Sequence, residues 1–217
     1  MNDTRQYLRD LPVFADELPG FEPAATPADP AACFEGWLVA AVAAGVREPH
    51  AMTLSTIGED GVPSARVLLL KNVDADGWQF AVHGASPKGR ELAANGVAAL
   101  TFYWPELARQ VRVRGTVRAE SVERSAADFL ARSEGSRASA MSGLQSTPLD
   151  DQGSVDIAAK QALERLAREP GLVVSEWILY TLRAGHVEFW QGDKDRKHTR
   201  VRYESGGDGW TKQLLWP

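Results

Sequence analysis

Hydrophobic and polar positions change period along this chain, and the changes divide it. Up to about residue 28, Pro, Asp and Glu recur without periodicity, which predicts an extended or mobile arm over residues 1–28 ahead of a single domain over 29–217. Asp29-Pro30 then supplies a cap and a proline at the first helical position. Phe34, Trp37, Leu38, Ala41 and Val42 follow at helical spacing as a core stripe, with Gly45 as the stop. From Ala51 the period drops to two. Residues 52–57 alternate, Gly58-Glu59-Asp60-Gly61 turns, and Pro63-Ser64-Ala65-Arg66-Val67-Leu68-Leu69-Leu70-Lys71 reads as a buried strand bracketed by two cations. Arg66 and Lys71 are five apart, so either this strand is bulged or the two reach a ligand from different places. Asp74-Ala75-Asp76-Gly77 turns into a strand over 78–83, and three strands on short turns predict an antiparallel meander.

Farther on, Ser86 caps a helix opened by Pro87, which puts Lys88 in the first turn. Free N–H groups and the helix dipole already attract an anion there, so a cation at that place suits a phosphate ligand. A strand over Val97–Trp104 precedes another over 110–114, where alternation sets Gln110, Arg112 and Arg114 on one face. A helix over 125–132, a polar loop from Ser133 to Ser146 and an amphipathic helix over 154–168 follow. That last helix turns Val155, Ala159, Ala162, Leu163 and Leu166 inward. Strands over 177–182, 186–190, 196–203 and 210–215 close the chain, the third aligning Arg196, His198 and Arg200 on one face.

Composition narrows the function classes. A chain of 217 residues with 44% hydrophobic and 24% charged residues buries an ordinary globular core. Its net charge of −5 argues against nucleic acid as a partner, so any anion site is a local gathering of Arg and Lys. One cysteine, Cys33, forms no internal disulfide, no apolar run reaches membrane length, and no signal-peptide core opens the chain. The expectation is a soluble cytoplasmic protein without membrane contact. Scattered His50, His83, His186 and His198 give no metal spacing.

Together these motifs make the chain resemble the pyridoxamine 5′-phosphate oxidase family of FMN-dependent enzymes. The resemblance rests on Arg66-Val67-Leu68-Leu69-Leu70-Lys71, on Ser86-Pro87-Lys88-Gly89-Arg90-Glu91-Leu92, and on Phe102-Tyr103-Trp104 with Arg109-Gln110-Val111. Gln145-Ser146 and Glu188-Phe189-Trp190-Gln191-Gly192 through Arg196, His198 and Arg200 complete it. It implies a mainly β fold with flanking helices, an FMN-binding split β-barrel, assembled as a homodimer with FMN at the interface. Arg66, Val67, Lys71, Lys88, Gln110, Gln145, Ser146, Trp190 and Arg200 match cofactor-binding positions. Lys71, Arg132, Ser136, Arg196 and His198 match substrate-binding positions, with Arg196 and His198 catalytic. The implied reaction moves a hydride from a small substrate to flavin N5, with O2 as acceptor.

Departures from the family pattern fall on the substrate side. Pro87 stands where Arg is usual, Asp128 where a phosphate-binding Tyr is usual, and Arg132-Ser133-Glu134 where Arg-Pro-Arg is common. Ser139-Ala140-Met141 and Trp177-Ile178-Leu179 replace Gly-Ala-Trp and Trp-Gly-Gly, and the arm lacks Arg-Arg-x-Tyr. Three readings compete: oxidation of pyridoxine or pyridoxamine 5′-phosphate, a phenazine-type biosynthetic flavin oxidase, and a flavin carrier without its own oxidase substrate. The segment Arg47-Glu48-Pro49 and the run from His83 to Leu92 look like the phenazine branch. Asp128 and Arg132, four apart on one helix, are expected to pair, setting a carboxylate where a substrate phosphate would sit.

Overall fold

Local capping chemistry starts the two best-marked helices where the sequence places it. Helix α2 (Pro30–Ala43) opens on its proline, and the Asp29 carboxylate accepts a 3.0 Å hydrogen bond from the Ala31 N–H. Helix α3 (Pro87–Asn95) opens on Pro87, with Ser86 Oγ accepting from the Gly89 N–H, and it ends at Gly96 in the left-handed region at φ +59. The computed structural model describes residues 3–14, 17–207 and 209–217.

Around these helices the described residues form strands β1 (Ala51–Ile57), β2 (Pro63–Leu69), β3 (Asn72–Asp74), β4 (Gly77–His83), β5 (Val97–Trp104), β6 (Arg109–Ala119), β7 (Trp177–Gln191), β8 (Thr199–Gly206) and β9 (Gly209–Leu215). The other helices are α1 (Thr4–Arg9), α4 (Val122–Leu130), α5 (Glu134–Met141) and α6 (Gly153–Arg168). Two compact units share strands β5, β6 and β7. The larger comprises His50–Leu100 and Val113–Gly185; the smaller comprises Met1–Pro49, Thr101–Arg112 and His186–Pro217.

In the larger unit the strand order is β2-β1-β5-β6-β7-β4-β3, and Leu54, Phe80, Leu100, Val113, Phe129 and Leu182 are fully buried. Helices α5 and α6 pack together through Ala138, Ala162 and Leu166. In the smaller unit β8 pairs antiparallel with β7 and β9 with β8. Its core is aromatic: Phe34 lies 4.8 Å from Phe102, and Trp37 meets the Phe189 edge at 5.1 Å. Each such buried ring contributes on the order of 1.5–3 kcal/mol.

Several expectations give way here. Strand β4 pairs with β7 rather than extending a β1-β2-β4 meander, because the short β3 edge and long-range pairing take its two sides. The Arg66 strand is not buried: β2 ends the strand order, and Val67 is 67% exposed on its outer row. Residues 177–190 form one strand, not two, and the polar loop after Ser133 contains α5, capped by Ser133 Oγ. On α2 the buried stripe is Cys33, Phe34, Trp37 and Ala41, while Val42 faces out; on α6 Val155 and Leu163 are likewise exposed.

Within the segment read as an extended arm, α1 forms a short six-residue helix capped by Asp3, and further along Lys212 Nζ donates to the Pro23 and Thr26 carbonyls. Tyr203 Oη donates to the Pro27 carbonyl at 2.8 Å, and the Phe21 ring meets Trp37 edge-on.

Candidate flavin and substrate site

Arg66 sits on β2 opposite Leu54, and its side chain turns inward while Val67 turns out. The guanidinium donates to Thr56 Oγ1, to Ser64 Oγ at 2.6 Å and to Glu91 Oε2 at 3.0 Å. Thr56 Oγ1 in turn donates to the Glu91 carboxylate. Lys88, in the first turn of α3, is only 6% exposed, and its ammonium donates at 2.6 Å to the Gln145 side-chain oxygen. Burial pushes the Lys88 pKa down and the Arg66 charge adds to that, with Glu91 opposing both. Ser146 follows Gln145 with φ at +67, a left-handed backbone inside the turn that the Thr147 N–H closes on the Leu144 carbonyl. Arg66, Lys88 and Gln145 thus form one cationic cluster at a helix N-terminus, where an anionic group is stabilised by charge and by free N–H groups.

A second cluster gathers around α4. Lys71 lies beyond β2, with its N–H bonded to the Gln79 carbonyl, so it belongs to the approach to β3 rather than to a bulged Arg66 strand. Its ammonium is 3.6 Å from Asp128 Oδ1, and Asp128 Oδ2 accepts from Trp177 Nε1–H at 2.8 Å. The expected Asp128–Arg132 turn pair is replaced by these two longer-range partners. Arg132 instead lies over the Trp177 ring, 3.9 Å from its centroid, with Phe129 at 5.8 Å. Its Nη1 is buried without a hydrogen-bond partner, and burial lowers the guanidinium pKa while Asp128 opposes the shift. Ser136, in the first turn of α5, hydrogen-bonds through its N–H to Ser133 Oγ.

In the smaller unit, Trp190, His198 and Phe14 form an aromatic group. The His198 ring lies 5.0 Å from Trp190 and 6.0 Å from Phe14. His198 and Arg196 are not on a strand as read from the sequence: β8 begins at Thr199, and Arg196 adopts φ +65 in the preceding turn. The Asp193 backbone and carboxylate organise that turn, the Asp193 N–H donating to His198 Nδ1 at 3.0 Å. Arg200 is on β8, where Nε and Nη2 both donate to Glu188 Oε1. The buried Glu188 carboxylate also pairs with Arg112 at 3.1 Å. Gln110 is half-buried on β6, and the alternation of β6 follows the pattern expected for Gln110, Arg112 and Arg114.

Sequence reasoning missed the acids and rings that hold these cations. Glu91, three positions after Lys88, had a helical-spacing signal; Glu188, inside an apolar strand, had the signal of a charge among core residues. Trp177 and Phe14 carry no local cue to their partners.

These mostly antiparallel strands with flanking helices define a split β-barrel. The chain belongs to the pyridoxamine 5′-phosphate oxidase family: residues 38–165 match the model described as pyridoxamine 5′-phosphate oxidase. Residues 177–217 match the pyridoxine 5′-phosphate oxidase C-terminal dimerisation region. A pyridoxine/pyridoxamine 5′-phosphate oxidase of Burkholderia multivorans is 42% identical over 87% of this chain and 89% of its own length. One from Pseudomonas syringae pv. syringae is 38% identical over 98% of this chain and 96% of its own. Among solved structures, PhzG from Burkholderia lata 383 in complex with tetrahydrophenazine-1-carboxylic acid matches with a TM-score of 0.84 at 30% identity. That match covers 92% of this chain and 99% of the other.

Proposed function

We propose that this protein is an FMN-dependent oxidase that removes a hydride from a C–H bond of a small ring substrate, with O2 as the final acceptor and H2O2 as its product. The observation that carries the cofactor is Lys88. It is a nearly buried ammonium bonded to a neutral amide, beside Arg66, at the start of α3. A buried cation needs a compensating anion, and the terminal phosphate of FMN fits the charge and the donors. When bound, FMN supplies the hydride acceptor and the centre that reduces O2. Arg66 and Lys88 hold the phosphate, with Lys71, Gln110, Gln145, Ser146, Trp190 and Arg200 as further cofactor contacts, and Val67, whose side chain points away from Arg66, contributes through its backbone.

Arg196 and His198 bind and polarise the substrate, with Lys71, Arg132 and Ser136 orienting its polar substituents. Because His198 Nδ1 already accepts the Asp193 N–H, the neutral ring carries its proton on Nε2 and offers the substrate a donor. The functional unit is a cytoplasmic homodimer with FMN at the interface. The dimerisation-region match and the exposed Leu214 and Trp216, 65% and 92% accessible, support the dimer.

Pyridoxine or pyridoxamine 5′-phosphate is the first substrate, on the names of the 38–42% identical relatives. A phenazine-type reduced ring acid is the second, favoured by the PhzG match and by Asp128 beside Lys71. Purified protein is expected to be yellow, to release FMN on denaturation, and to consume O2 with one of these substrates while sedimenting as a dimer. Colourless protein that takes up no FMN would reject the reading.

A further inference from the structure

We propose that Asp128 is a specificity residue that sets the charge of the accepted substrate, favouring a carboxylate monoanion over a phosphate dianion. The inference rests on the reading above that Lys71 and Arg132 face the substrate. Asp128 links the group: one of its oxygens lies 3.6 Å from the Lys71 ammonium, the other accepts from the Trp177 N–H, and Arg132 lies on the indole face. Unlike Glu91, which leaves Lys88 bonded to a neutral amide, Asp128 meets the lysine of its own cluster directly, so Lys71 already has an anion from the chain before a ligand arrives.

The carboxylate is fixed in place. Its side chain is 14% exposed, and the Trp177 N–H holds Oδ2 at 2.8 Å, so it cannot swing into bulk water without abandoning both partners. Arg132 Nη1 is the complementary feature, a buried donor with no acceptor of its own. A buried donor left unpaired is costly, so a ligand oxygen delivered to Nη1 gains more than one meeting a solvated guanidinium. The second negative charge of a phosphate gains no matching donor and meets the Asp128 carboxylate in a low-dielectric setting.

The test uses the FMN-loaded protein at pH 8, where a phosphate monoester is doubly ionised. Binding of 1-naphthoate and 1-naphthyl phosphate is measured by isothermal titration calorimetry, which needs no turnover. Wild type is expected to bind the carboxylate more tightly. Asp128→Asn keeps an oxygen for the Trp177 N–H and removes the charge, so the preference should move toward the phosphate by roughly tenfold or more. Lys71→Gln should weaken the phosphate more than the carboxylate. A preference unchanged within twofold in Asp128→Asn, while Arg132→Gln weakens both ligands, overturns the role of Asp128 alone. If Arg132→Gln and Lys71→Gln leave both affinities unchanged, the substrate-facing assignment fails and the inference with it.

Discussion

Two clusters in the larger unit use the same kinds of side chain to different ends. At the start of α3, Lys88 is bonded to the neutral Gln145 amide, and the nearest carboxylate, Glu91, is engaged by Arg66 and Thr56. Beside α4, Lys71 meets a carboxylate directly, and that carboxylate is anchored by an indole N–H. The first arrangement leaves a buried charge in want of an anion, and the second has supplied one from the chain. What distinguishes a site for a strongly charged ligand from one for a weakly charged ligand is the partner of the lysine. The number of cations nearby is the same.

The hardest way to break this contrast is to empty the first cluster. Replacing Arg66 and Lys88 together by Ala removes charge-assisted hydrogen bonds of about 1.5–3 kcal/mol each, so FMN affinity should fall at least a hundredfold if the two add. Fluorescence titration of the double variant measures it, and an unchanged dissociation constant would remove the phosphate site from this cluster.

Trp177→Phe probes the second cluster through its anchor. Asp128 Oδ2 would lose its donor while staying mostly shielded, at a cost of about 1–3 kcal/mol. Thermal unfolding should shift down by several degrees, with FMN affinity held within about threefold. An equal loss in both quantities would mean that the two clusters are not separable.

The smallest effect is one of pH. FMN phosphate binds the ammonium form of Lys88, whose pKa is lowered from the ordinary lysine value by burial and by Arg66. Affinity is therefore complete well below that depressed value and declines as pH rises through it, by at most tenfold per pH unit for one proton. In the FMN-free protein the sense reverses: the buried charge penalises the folded state at lower pH, and the penalty lifts on deprotonation. Lys88→Arg should hold FMN affinity flat over the same range. A wild-type profile equally flat would show that Lys88 is not the phosphate partner.

The sequence disclosed most where one or two residues decide the outcome. Asp29-Pro30 and Ser86-Pro87 start α2 and α3, and the alternation of Val97–Trp104 delimits β5. It disclosed least where partners are remote. No local pattern says that β4 lies beside β7, or that Asp128 binds Trp177, 49 positions on, in preference to Arg132 one turn away. The turn before β8 misled for a local reason: alternating Arg196, His198 and Arg200 imitates a strand, yet Asp193 caps a turn and Arg196 takes a left-handed backbone. Helix α5 hid behind Gly135, Ser136 and Ser139, residues that also compose loops. In the candidate site the cations were legible as types, whereas the carboxylates that tune them were visible only in three dimensions.

The β1–β2 hairpin carries an evolutionary consequence. Arg66 pairs with Leu54 and turns toward Thr56 and Glu91, while its neighbour Val67 pairs with Thr53 and points away. Because side chains alternate along a strand, a slip by one residue would exchange the two rows, presenting valine to the acid and arginine to the outer surface. Point substitutions in the exposed row leave Arg66 where it is, but a single inserted or deleted codon within β2 relocates it. Length in this hairpin should thus be inherited more strictly than identity, with lineages varying it inside the Gly58–Val62 turn before they vary it within the strand.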